Sequence, residues 1–144
     1  MFRITLSTHA MRTTRATCLL LCAVLVGCDG SKLASVKGKV SFGGKPVPGG
    51  TVNFIPLNSG PTASGEIKSD GSYALTTNVQ GDGAAPGSYK VVIVAMEDQA
   101  GKLPEDRNPL PAALIPVRYT SLATTDLTAT VDKKENTINF ELSK

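Results

Sequence analysis

The sequence predicts an all-β fold, a seven-stranded antiparallel β-sandwich behind an N-terminal leader. Three observations predict it. Apolar residues alternate with polar ones at period two from residue 36 onward, the mark of half-buried strands. No stretch after residue 35 carries a sustained i, i+3, i+4 apolar face. Glycines and prolines, 14 and 9 in a chain of 144 residues, punctuate the first half at the short, regular spacing of sandwich turns.

The elements follow in order. In the first strand Val36, Gly38, Val40 and Phe42 face inward, and Lys37, Lys39 and Ser41 face solvent. Val52 and Phe54 mark the second. Ala63, Gly65 and Ile67, then Tyr73 and Leu75, predict a hairpin around Asp70-Gly71, a dipeptide suited to the positive φ of a type I′ turn. Residues 87–96 form the longest strand, with Tyr89, Val91, Ile93 and Ala95 on one side and Val92 and Val94 on the other, which predicts a central position covered on both faces. Leu127, Ala129 and Val131 make the sixth strand; Ile138, Phe140 and Leu142 make the seventh. The connection 97–125 holds Pro104, Pro109, Pro111 and Pro116 and far exceeds a hairpin loop, a length usually associated with function or disorder. Within it, Leu114 to Tyr119 is apolar enough to cap the sandwich. Lys102, Glu105, Asp106, Arg107 and Arg118 form a mixed-charge rim beside Tyr119, which makes this the candidate interaction loop. Counting strands up and down puts 57–62, 77–86 and 132–136 at the end where the chain enters. Segments 43–50, 70–71 and 97–125 fall at the opposite end.

The N-terminus has its own pattern. Nine apolar residues, 18–26, follow Arg12 and Arg15, too few to span a bilayer but suited to an export signal, and Met11 is an alternative start within it. Leu25-Val26-Gly27-Cys28 resembles the lipobox of bacterial lipoproteins. The resemblance implies that residues 1–27 are a signal peptide, that the Cys28 sulfur is acylated, and that 28–35 is a polar tether ahead of a domain at 36–144. The implied location is the cell membrane or outer membrane, lipid-anchored on the periplasmic or surface face. Asp29 fits either an inner-membrane retention signal or a solvated tether residue. The net charge of +3 comes from Arg3, Arg12 and Arg15; without them twelve basic residues face twelve acidic ones, which argues against nucleic acid as a partner.

The run from Val36 to Gly50, with Val52-Asn53-Phe54, Gly65-Glu66-Ile67, Asp70-Gly71-Ser72-Tyr73-Ala74-Leu75 and Gly87-Ser88-Tyr89-Lys90-Val91, resembles the carboxypeptidase regulatory-like domain. Ile115-Pro116-Val117-Arg118-Tyr119 and Leu127 to Val131 extend the likeness to small planctomycete-type lipoproteins. Over residues 36–142 this resemblance implies a transthyretin-like, Greek-key sandwich. Its motif residues are glycines, turn residues and inward apolars, which specify a fold and not an activity.

The chemistry is bounded by what the domain lacks. The single histidine, His9, lies in the leader, so no Ser-His-Asp or Cys-His catalysis and no His-ligated metal is expected after residue 27. No cofactor and no metal are expected. Lys37, Lys39 and Asn139 alternate outward, against a buried Lys–Asn crosslink. Turn aspartates at Asp70 and Asp82 offer calcium-type oxygens, and Tyr119 is the remaining aromatic platform for a sugar. The expected role is a non-enzymatic, lipid-anchored envelope protein acting as a structural or protein-interaction module, with an envelope protein or glycan as partner. The alternative is a lipoprotein binding a small ligand, glycan or calcium with the loops distal to the membrane.

Overall fold

The computed structural model describes residues 32–107 and 110–144; Leu25, Val26, Gly27 and Cys28 lie outside the described residues. These residues form an all-β structure of two sheets. The strands are β1 (Val36–Phe42), β2 (Lys45–Pro46), β3 (Gly50–Pro56), β4 (Ala63–Ile67), β5 (Ser72–Ala74), β6 (Gly87–Val94), β7 (Thr128–Val131), β8 (Asn136–Thr137) and β9 (Phe140–Leu142). Two 3₁₀ turns, Pro104–Asp106 and Val117–Thr120, lie in the long connection. The short return strand β2 was not anticipated, and the seventh expected strand is divided into β8 and β9.

One sheet runs β4-β3-β6-β7, with every neighbour antiparallel. The other is built around β1. Its even-numbered residues bond to β5 and to the segment after β2, as in Leu75 N–H to Val36 O and Val47 N–H to Val40 O. Its odd-numbered residues bond to the last strands, as in Ile138 N–H to Lys37 O. β8 and β9 run parallel to β1, which corrects the purely antiparallel expectation. The reason is a matter of parity. With β2 set aside and β8 and β9 taken as one run, the chain reverses at each connection through an odd number of strands. The first and last then point the same way, and when they pair they must pair in parallel.

The expected hairpin is found at its ends but opens in its middle. Lys68 N–H donates to Ser72 O and Gly71 N–H to Lys68 O, and the mutual bonds of Ser64 and Thr76 continue the same register. Between these points β5 pairs with β1 while β4 pairs with β3, so the two strands belong to different sheets. The turn also differs from a two-residue type I′ loop. It spans residues 69–71 with Gly71 at φ +79°, and the Asp70 carboxylate accepts both the main-chain N–H and the hydroxyl of Ser72. That side-chain staple favours the longer, bulged loop.

The core follows the alternation. Val36, Val40, Val52, Phe54, Ile67, Leu75, Val91, Ile93, Val131 and Leu142 are buried. Phe54 stands at the centre of an aromatic group, with ring centroids 5.7 Å from Tyr89, 6.0 Å from Phe140 and 6.4 Å from Tyr73. On β6 the outward Val92 is also buried and Val94 half-buried, in line with a central strand flanked by β3 and β7.

β8 and β9 share one register on β1, offset by a constant hundred residues, yet the ladder breaks between them. At the break the Ile138 carbonyl turns inward over Gly38 and accepts the Tyr73 hydroxyl at 2.7 Å. The main-chain N–H of Lys39 donates instead to Asn139 Oδ1 at 2.9 Å. A Cβ on Gly38 would lie 1.7 Å from the Ile138 oxygen, so this close approach requires glycine. Gly38→Ala should therefore destabilise the fold by roughly 3 kcal/mol in urea unfolding. Gly49→Ala, whose added Cβ would meet nothing within 4 Å, should change stability by less than about 0.5 kcal/mol.

Candidate functional site at the loop end

The registers sort the connections into two ends. Phe42, Ile67, Gly50 and Val94 lie at one end of their ladders, so 43–49, 68–71 and the long 95–127 connection gather there with the C-terminal residues after Leu142. Ala63, Pro56, Gly87, Val131, Val36 and Asn136 lie at the other, with 57–62, 75–86 and 132–135. The chain enters at this second end. Ala34 is buried and exchanges two main-chain bonds with Ala84, of 2.8 and 3.0 Å. Ala34 and Ser35 are therefore part of the packed structure, with Ser35 O accepting the Asn136 N–H.

The candidate interaction residues separate into two groups. Lys102 Nζ lies 3.0 Å from Glu97 Oε1, and Arg107 Nε donates to Lys102 O at 3.2 Å. Glu105 and Asp106 are exposed on the first 3₁₀ turn. The Lys102 and Arg107 side chains bond within this stretch, while the Glu97 main-chain N–H donates to Ala112 O at 2.8 Å; both side chains of the ion pair remain partly solvated, where such a pair is worth little. Arg118 and Tyr119 turn the other way. Tyr119 is 3% exposed and packs with Ile115 in the core, so it is a cap on the open end of the sandwich and no platform for stacking a sugar. The expected apolar cap at 114–119 is thus what forms, and burial removes Tyr119 from the exposed interaction set, hydrophobic burial drawing the ring in.

The cap is clasped to the last strand. Arg118 Nη2 donates to Tyr119 Oη at 2.5 Å, to Ser143 O at 2.7 Å and to Ser143 Oγ at 3.1 Å, and its guanidinium carbon sits 4.6 Å from the Tyr119 ring centroid. Ser143 N–H donates to Tyr119 Oη. Burial pushes the Tyr119 hydroxyl up, but these donors and the Arg118 charge outweigh it and hold the group below the ordinary tyrosine value. Arg118 Nε is buried without a hydrogen-bond partner. Thr125, also buried, donates its hydroxyl to Val91 O at 2.7 Å and ties the end of the long connection to β6.

Along its length, before, between and after these two groups, the connection leaves a row of large apolar residues exposed in sequence order: Met96, Leu103, Leu110 (81% exposed), Val117 (70%) and Leu122. This row was not singled out in the sequence, where these residues read as ordinary members of an irregular loop. Away from it, an open groove of about 660 Å³ follows the seam where β4 and β5 part, walled by Thr51, Ser64, Glu66, Lys68, Thr76 and Gln80. Lys39 and Asn139 are exposed neighbours, and the Asn139 oxygen is engaged by the Lys39 main chain.

The two turn aspartates serve the backbone. Asp82 accepts the main-chain N–H groups of Thr77, Asn78 and Val79 at 2.7, 2.9 and 2.8 Å. The Thr77 bond contributes most to holding this carboxyl below its ordinary value, and Ser72 does the same for Asp70. Among the described residues no group of three or more His, Cys, Asp or Glu could hold a metal ion, and no helix is long and apolar enough to cross a membrane. No protein-family model matches the chain, and neither a curated protein nor a solved structure matches it.

A carboxyl whose native pKa is depressed adds stability above its unfolded value, and that stability is lost as pH falls through the native one. Asp82→Ala should lower the melting temperature at pH 7. The gap between variant and wild type should close as the pH falls below the ordinary aspartate value of 3.8, when both chains lack the charged acceptor.

Proposed function

We propose that the chain is a lipid-anchored envelope protein, held in the membrane through acylated Cys28, whose domain is a non-enzymatic interaction module facing away from the bilayer. Within this proposal the two sheets are a variant of the seven-stranded, Greek-key sandwich of transthyretin-like carboxypeptidase regulatory-like domains. The long connection, with Lys102, Glu105, Asp106 and Arg107 on its rim and the apolar row Met96, Leu103, Leu110, Val117 and Leu122 beside them, contacts an envelope protein. The observation that carries this reading is the separation of ends: the chain enters opposite the connection that exposes the apolar row. Exposed aliphatic side chains rimmed by both signs of charge suit a protein surface better than a small ligand.

A second reading, a small polar ligand or glycan, draws on the groove along the β4–β5 seam, whose walls carry hydroxyls, an amide, one acid and one cation. The two are separable by where variants act. Shortening the chain across residues 101–110 should leave folding intact and abolish recovery of a crosslinked envelope protein from native membranes. Ser64→Arg should instead abolish ligand binding if the groove is the site.

The anchor has its own test. Cys28→Ser should move the protein from the membrane fraction into soluble or unprocessed forms. Equal partition of variant and wild type into detergent would refute lipidation.

A further inference from the structure

We propose that the end of the sandwich where the chain enters is itself a membrane contact, with Leu57 and Val79 seated at the headgroup–acyl boundary and Lys32, Lys133 and Lys134 against anionic headgroups. This rests on the anchor at Cys28 and says what the domain does once it is held there.

Reach is the first support. Ala34 is fixed to Ala84, so only residues 29–33 separate the anchor from the packed domain. Fully extended, that length spans about 20 Å, less than the ~35 Å breadth of a domain of about 110 residues. The entry end is therefore confined beside the bilayer, and any apolar group on it meets lipid at high effective concentration.

The surface at that end is built for presentation. Leu57 is 58% exposed just after β3, with its N–H bonded to Ser88 O. Val79 is 70% exposed on a loop that is fastened from inside. Asp82 takes three of the loop's N–H groups, Asp82 N–H returns to Val79 O at 2.9 Å, and the hydroxyls of Thr76 and Thr77 bond to Gly81 N–H and Gly83 O. A valine held out on so fully bonded a loop is not left over from loose packing. The charges agree. Lys133 and Lys134 sit on the turn between β7 and β8, shaped by Asn136, whose side chain bonds Asp132 N–H, Asp132 O and Lys134 O. Of the acids at this end among the described residues, Glu135 pairs with Lys37 and Asp82 serves its loop, leaving Asp132 beside the two lysines. Short aliphatics beside lysines, pressed toward a bilayer, are the composition of an interfacial contact.

The chain has no Trp, so each introduced one is the sole indole reporter. Leu57→Trp, Val79→Trp and, at the far end, Val117→Trp are each made in the full-length lipidated protein. They are reconstituted into phosphatidylcholine vesicles with and without phosphatidylglycerol, using brominated lipids as quencher. The first two should be quenched at least about threefold more than the third and shielded from acrylamide. Lys133→Glu with Lys134→Glu should reduce the quenching in the anionic vesicles only. Protein that floats with vesicles but is quenched equally at all three positions overturns the contact while leaving the anchor standing. Protein that does not float overturns the anchor, and the contact with it.

Discussion

The inward turn of one carbonyl, that of Ile138, ties the last strands to the core side of β1 and to Tyr73. It leaves the ladder, passes over Gly38 and receives the Tyr73 hydroxyl, so three strands distant in sequence meet at one oxygen. Tyr73 is buried, and desolvation holds its hydroxyl far above the ordinary tyrosine pKa, so it stays a neutral donor at all physiological pH. An unpaired hydroxyl there would cost about 1–3 kcal/mol. The ladder bond given up at Lys39 is replaced by Asn139 Oδ1, which keeps the exchange nearly neutral. The ring of Tyr73, with Phe54 and Phe140, then fills the centre of the core.

Much of the fold was legible because burial imposes period two on a strand with one wet face. Val36 through Val40 and Ala63 through Ile67 alternate inward and outward as expected, and Tyr89, Val91, Ile93 and Ala95 are all inside. Pairing partners were less legible. Alternation says which face a residue takes but not which neighbour its main chain chooses, so the parting of β4 from β5 could not be seen in Ala63, Gly65 and Ile67 themselves. The parallel closing of β1 by β8 and β9 was implicit in an odd strand count, but only once those strands are known to touch.

The candidate site was harder still. Side chains such as Asp82, Asn136 and Arg118 act by bonding the backbone of residues a turn or a strand away, and nothing in local composition separates these from solvated polar residues. Tyr119 illustrates the other side: the apolar run around it already reads as a plug for the sandwich, and its burial with Ile115 shows the gap between the sheets is deep enough to take it. The apolar row along the long connection emerges only after Ile115 and Tyr119 are taken into the core and Leu103, Leu110, Val117 and Leu122 are left out.

The placement of β1 has a mechanical consequence. It is the first strand after the entry point, it runs away from that end, and it is bonded on both edges, antiparallel to β5 and β2 and parallel to β8 and β9. A pull between the entry point and the opposite end therefore acts along β1, in shear. Bonds on both edges share such a load together, instead of opening one at a time as in a hairpin unzipped from its free end.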